Sequence, residues 1–292
     1  MNSLYLFIIV LGIAIQSIAM KEHNKRVGGG FFTFTVAATF SGFLMMLIYS
    51  GGNLNFNIET ISFAALFSVL FAVSILFHTF ALSVGPLSLT ALILSYSLLV
   101  PTFYGVFVYD EKLTGLSIAG IAFLAVSIYM TNFKKSIENP KAATLSKKWY
   151  IYVGLAFLGN GFCSVTQRAH QLYCDGKFGK EFMVIAFGLA ALWLLPFMIK
   201  NEMRKKNSWQ FKKTLTKCWL WFFLDALGVL VVNMLVIKLS VRMNASIMFP
   251  VISAGEILSV AAFSLLLYKE RLSKMQIIGV IIGVIAVVFL NI

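Results

Sequence analysis

The sequence predicts an all-α integral membrane protein whose ten transmembrane helices form an inverted five-plus-five repeat. Three observations predict it. Of the 292 residues, 60% are hydrophobic, 12% carry charge and 28 are Phe. A water-soluble core of this size does not use so much apolar surface, whereas a bilayer solvates it. Ten apolar runs approach the length of about 20 residues that crosses the hydrocarbon at about 1.5 Å per residue. Finally, the second half of the chain repeats the first.

The ten runs are Ser3–Met20, Phe31–Ser50, Ser62–Ser83, Leu87–Tyr109, Gly115–Asn132, Trp149–Gln171, Gly179–Ile199, Lys217–Leu239, Asn244–Tyr268 and Lys274–Asn291. The first has no basic segment ahead of it and no small-residue cleavage site, so it reads as a span and not as a signal peptide. Gly28-Gly29-Gly30 follows it in a loop, without the strand that a nucleotide-binding glycine loop needs. Pro101 and Pro250 interrupt the fourth and ninth runs, each freeing a carbonyl one turn earlier. Thr114 stands as the N-cap of the fifth run, and Ser273 with Gln276 has capping-box form ahead of the tenth. That last run holds Gly279 and Gly283 at GxxxG spacing, which permits close helix contact within one chain or in a dimer.

Residues Tyr109-Asp110-Glu111-Lys112-Leu113-Thr114 recur as Tyr268-Lys269-Glu270-Arg271-Leu272-Ser273, at an offset of 159. Earlier in each half the offset is 147: Tyr5, Gly12, Ser17, Lys21, His23 and Phe31 find Tyr152, Gly159, Ser164, Arg168, His170 and Phe178. The second half is thus twelve residues longer, most simply in the basic segment Lys200–Thr216. The expected organisation is a first repeat over 1–133, a linker over 134–148 and a second repeat over 149–292. Five is odd, so the halves cross the membrane in opposite senses, as the repeats of many carriers do.

A net charge of +13 could suggest nucleic acid, but the Lys and Arg gather between the apolar runs. Odd-numbered loops hold 18 of them and the other side six, which puts the odd loops in the cytoplasm and both termini outside. The expected location is the plasma membrane, multi-pass, with no nucleic-acid partner. Cys163, Cys174 and Cys218 show neither CxxC nor metal-ligand spacing, and no nucleophile–base set is visible. The chain therefore reads as no enzyme, with no metal and no cofactor.

Ala81-Leu82-Ser83-Val84-Gly85-Pro86-Leu87-Ser88, Pro101, Glu111-Lys112-Leu113-Thr114 and Gly120 resemble the EamA-type repeat of the drug/metabolite transporter superfamily. Leu239-Ser240-Val241, Asn244-Ala245-Ser246, Glu270-Arg271-Leu272-Ser273 and Gly279 resemble it a second time. The resemblance implies a ten-helix carrier that moves small organic solutes by alternating access, without naming the solute. Relatives are commonly drawn with both termini in the cytoplasm; the charges here argue the reverse.

Candidate site residues follow from polar groups at membrane depth. Glu256 is central in the ninth run, where a carboxylate must face a cavity, find a partner or be protonated. There it can bind a proton, a coupling cation or a cationic solute group, or make one structural hydrogen bond. Its repeat equivalent is Ser97. In the eighth run Asp225 and Asn233 lie on one stripe, Asp225 either in a cavity or among headgroups. Asn160, Ser164, Gln167 and Gln171 mark one face of the sixth run, as cavity lining or as glue between helices. Arg168 reads as a side chain snorkelling to the interface. His78 reads as an interfacial imidazole or a titratable group at a cavity mouth.

The expected function is secondary transport of a metabolite, amino acid or drug-like cation, with coupling to a proton through Glu256 open. The alternative is a non-transporting scaffold or accessory subunit. The expected partners are the solute and the lipid bilayer, as monomer or homodimer. The charged turn Tyr109–Thr114, repeated on the opposite face, reads as a solvated corner and not as a pocket.

Overall fold

The computed structural model describes residues 2–84, 90, 93–137, 146–203, 208–266 and 273–291, and among these it is helical with no strand. Its helices are α1 (Asn2–Val27), α2 (Phe31–Ser50), α3 (Ile58–Val84), α4 (Leu99–Val108), α5 (Gly115–Ile137), α6 (Lys147–Tyr173), α7 (Gly179–Met198), α8 (Ser208–Lys217), α9 (Trp219–Ser240), α10 (Ala245–Leu266) and α11 (Lys274–Asn291). A 3-10 turn, Tyr96–Leu98, leads into α4, and a π turn, Ile199–Met203, extends α7. Five helices are long and apolar enough to cross a bilayer: 2–27, 31–50, 58–84, 179–203 and 219–240. Shorter apolar helices cover 93–108, 115–130, 245–259 and 274–290. The motif at 85–89, the core of the linker at 138–145 and the second charged turn at 267–272 lie outside the described residues.

The chain folds as two compact units that do not follow the sequence halves, because α3 and α6 each contribute to both. The first comprises Met1–Ala72 and Thr166–Val241. Here α1 runs along α9, and α2 packs on α7 and α9. Glycines set the α1–α9 approach: a Cβ on Gly12 would lie 2.7 Å from Val232 Cγ2, and one on Gly228 would lie 2.8 Å from the Gly12 carbonyl oxygen. Small residues permit such backbone proximity, which supplies packing contact where lipid gives no hydrophobic drive.

Two histidines paired by the repeat make matching contacts in this unit. His23 Nε2 is 3.2 Å from Thr214 Oγ1, with its ring 4.5 Å from that of Phe34. His170 Nε2 is 3.0 Å from Thr60 Oγ1, with its ring 4.6 Å from that of Phe182. Gln171 donates to His170 Nδ1 at 2.8 Å, so the proton of the neutral ring belongs on Nε2 and is donated to Thr60. Both rings are buried, where an unpaired imidazole would be unfavourable. Arg168, expected at the interface, is instead only 5% exposed. It stands on the last turns of α6, the part packed within this unit, so its head is enclosed by protein.

The π turn also has a task. Pro196 withholds an N–H from the last turn of α7, and the ladder widens over Ile199–Met203. That turn carries Glu202, whose buried carboxylate accepts from the backbone N–H groups of Phe32 (2.8 Å) and Thr33 (2.7 Å) and from the Thr33 hydroxyl. Four N–H groups at a helix start have no partner within the helix, and the positive end of the dipole favours an anion. Glu202 is thus a remote N-cap for α2.

The second unit comprises Val73–Val165 and Arg242–Ile292. In it α11 packs along α5, and α10 packs on α4, α5, α11 and the 3-10 turn. The GxxxG face of α11 is used inside the chain: Ser127 of α5 donates to the Gly279 carbonyl at 2.7 Å, and a Cβ on Gly283 would lie 2.8 Å from Ser127 Oγ. The caps form as their residues require, Ser117 N–H donating to Thr114 Oγ1 at 3.0 Å. Ser273 N–H donates to Gln276 Oε1 at 2.9 Å while Gln276 N–H donates back to Ser273 Oγ at 3.3 Å.

The turn Tyr109–Thr114 departs from the solvated corner that the repeat suggested. Asp110 and Lys112 are exposed, but Glu111 turns inward and is 9% exposed. Its two oxygens accept from the backbone N–H groups of Ala245 (2.9 Å) and Ser246 (2.8 Å), the first turn of α10. Gly105 makes room, since a Cβ there would lie 2.6 Å from Glu111 Oε2. Glu111 therefore does for α10 what Glu202 does for α2.

Candidate functional site

The structure sorts the acidic residues by employment. Glu111 and Glu202 cap helices, Glu181 accepts from the Asn55 N–H at 3.2 Å, and Glu22 pairs with Arg26 at 3.3 Å. Two carboxylates within apolar helices are left over among the described residues. Glu256, twelfth of the 22 residues of α10, and Asp225, seventh of the 22 of α9, are half-buried. Neither side chain has a hydrogen-bonding or charged partner among the described residues.

In the second unit, Ala254 of α10 faces a core of Leu124, Ile128 and Ala286 from α5 and α11, with Ile257 and Tyr96 packed against it. Two residues on, at about 100° each, Glu256 points away from that core. Asn160, fourteenth of the 27 residues of α6, is exposed although it sits at mid-helix. Its Nδ2 donates to Ser97 Oγ at 2.6 Å, and Ser97 is buried in the 3-10 turn. That turn exists for a reason visible in the chain. Pro101 gives no N–H to the Ser97 carbonyl four residues earlier, so the backbone enters α4 through the tighter turn. Gly161 lets α6 approach it, since a Cβ there would lie 2.6 Å from Val100 Cβ and 2.9 Å from the Ser97 carbonyl oxygen. Ser164 is half-buried. His78 on α3 is half-buried in the same unit and engaged in an interaction of its own.

In the first unit, Gln167 Nε2 donates to the Asn233 backbone carbonyl (3.1 Å) and to Asn233 Oδ1 (3.3 Å), while Asn233 Nδ2 donates to Val229 O at 2.7 Å. Gln167 is 3% exposed. The polar stripe of α6 therefore divides. Asn160 serves the second unit with Ser97, whereas Gln167 and Gln171 donate their amide N–H groups within the first. Asp225 joins neither Gln167 nor Asn233 by a hydrogen bond.

An exposed amide or carboxylate at the middle of a bilayer-length helix must face water, because hydrocarbon cannot satisfy it. Asn160 is exposed and Glu256 half-buried midway along their helices, whereas Gln167 is buried. Sequence reasoning overlooked Gly161 and the Ser97 carbonyl; Pro101, four residues past Ser97, was the available signal. Among the described residues no group of His, Cys, Asp and Glu could hold a metal ion.

Residues 175–292 match the EamA-like transporter family. The match spans the segment in which the motifs around Asn244 and Gly279 resemble the EamA-type repeat. A crystal structure aligns with a TM-score of 0.75 over 99% of this chain and 95% of its own, at 13% identity, and shows this chain to share that fold. In all, 27 solved chains match it. Comparison with curated proteins gives no match.

Proposed function

We propose that this chain is a secondary transporter that moves a small organic solute across the plasma membrane by alternating access, with Glu256 as the coupling group. The reading takes the molecule as ten transmembrane helices in an inverted five-plus-five repeat, 1–133 and 149–292. The observation that carries it is the half-buried Glu256 carboxylate midway along α10, without a partner among the described residues. A scaffold has no need of one, and the transporter family matched over 175–292 supports the same choice.

The chemistry follows from desolvation. A bare carboxylate at the centre of a membrane helix costs about 2.5–3.5 kcal/mol or more. Closing the bundle over empty, ionised Glu256 is therefore disfavoured by that amount. A proton or the cationic group of a solute removes the penalty, so the loaded site is the one that reorients. Asn160 gives one N–H to Ser97 and keeps its second N–H and its carbonyl oxygen for the solute. This favours amines, amino acids and drug-like cations, or a neutral metabolite carried with a proton.

The test is uptake into proteoliposomes under an imposed pH gradient, using a solute found by thermal-shift screening of amines, amino acids and quaternary ammonium compounds. Glu256→Gln is isosteric and permanently neutral. It should bind the solute yet lose gradient-driven accumulation at least tenfold. Full, gradient-dependent accumulation by Glu256→Gln would remove Glu256 from the mechanism.

A further inference from the structure

We propose that α8 lies in the plane of the membrane surface and gathers anionic phospholipid headgroups there. The chain leaves one membrane-length helix at Met203 and enters the next at Trp219, with Ser208–Lys217 between them. Ten residues make a helix of about 15 Å, too short to span and tethered at both ends to the bilayer surface.

The inner face of α8 is already occupied. Thr214 is buried and bonded to His23, and Gln210 and Thr214 rest on the loop before α2. A Cβ on Gly29 would lie 2.4 Å from Gln210 Nε2, and one on Gly30 2.6 Å from Thr214 Oγ1. The glycine run is thus the seat of α8. Its outer face mixes two chemistries. Trp209 is 50% and Leu215 39% exposed, and exposed Lys212 lies between them around the helix. Lys217 is exposed too, and Lys213 sits 5.2 Å over the Trp209 ring.

Water alone gives no reason for Trp and Leu on that face. A headgroup layer does, because rings and leucines settle at its acyl boundary while lysines reach its phosphates. The start of α9 continues the pattern with Trp219, 59% exposed, and Trp221, whose ring lies 5.3 Å under Arg26. No acidic residue occurs from Ser208 to Leu224. The nearby acids are engaged, Glu22 with Arg26 and Glu202 with α2. The surface is cationic and apolar together, which fits anionic lipid.

The experiment uses the full chain in lipid nanodiscs with a fluorophore on Ser208→Cys; the native cysteines are buried. Quenching by spin-labelled phosphatidylglycerol is compared with quenching by spin-labelled phosphatidylcholine. Phosphatidylglycerol should quench more strongly, the preference should fade with added salt, and Lys212→Gln with Lys217→Gln should lower it by about fivefold per lysine. Lys177→Gln, on another segment, should leave it unchanged. Equal quenching by both lipids, or a preference that survives salt and the double substitution, overturns the proposal. Quenching by neither lipid also overturns it, since the face would then meet water or a protein partner. The salt titration of the parent decides the matter even if the double variant folds poorly.

Discussion

Removing the Glu111 carboxylate should destabilise the second unit far more than its place in a surface turn suggests. Glu111 accepts two backbone N–H groups at 2.9 and 2.8 Å from Ala245 and Ser246, both fully buried. In Glu111→Ala those donors have no acceptor, and each unsatisfied buried group costs about 1–3 kcal/mol. Loss of the anion from the positive end of α10 overlaps with that cost. The expected loss is about 3 kcal/mol, read as the midpoint shift of unfolding in mixed detergent micelles. Glu111→Gln keeps one acceptor oxygen and should fall between. Lys112→Gln changes the neighbouring, exposed residue and should stay within about 0.5 kcal/mol. If Glu111→Ala unfolds with the parent, or Lys112→Gln is as harmful, the remote cap contributes nothing and the reasoning fails.

Thr60→Val keeps shape but deprives buried His170 of its Nε2 partner, so thermal unfolding should report a loss of about 1–3 kcal/mol. Gly30 has φ +73° and its Cβ would meet Thr214, so Gly30→Ala should lose about 1–3 kcal/mol and loosen α8 to proteolysis. Gly29→Ala meets only the flexible end of Gln210 and should cost less in the same assay. Gly161→Ala drives a methyl into Val100 and the Ser97 carbonyl; it should lower transport in proteoliposomes more than it lowers the unfolding midpoint.

Local chemistry was legible in the sequence. Where described, the apolar runs are helical, Thr114 and Ser273 cap as their types require, and Pro101 foretold a break that the 3-10 turn realises. His23 and His170, matched only by an offset, each proved to have a Thr hydroxyl and a Phe ring as partners. Long-range pairing was not legible. Glu111 is satisfied 134 residues away and Glu202 about 170 residues away, and a carboxylate in a charged turn looks solvated until its distant helix is in place. Likewise Gly28-Gly29-Gly30 read as a loop because its meaning lies in Gln210 and Thr214. The basic segment after α7 showed in its extra length, yet its helix did not, since ten residues with three lysines lack an apolar run. For the candidate site, depth in the helix pointed to Glu256 and the polar stripe of the sixth run to Asn160. Periodicity alone could not separate exposed Asn160 from Gln167, because a stripe says which side of a helix is polar and not which neighbour takes up its hydrogen bonds.

The two remote caps have opposite orders of synthesis. Glu111 leaves the ribosome before α10 exists, so that helix meets its acceptor as it is made. Glu202 follows α2 by about 170 residues, so the first N–H groups of α2 must be held by water or headgroups while much of the chain is inserted. During that interval the first turn of α2 lacks this acceptor, which arrives only with the end of α7. A first half expressed alone carries α2 without the residue that ends this wait, and co-expressing the second half supplies it.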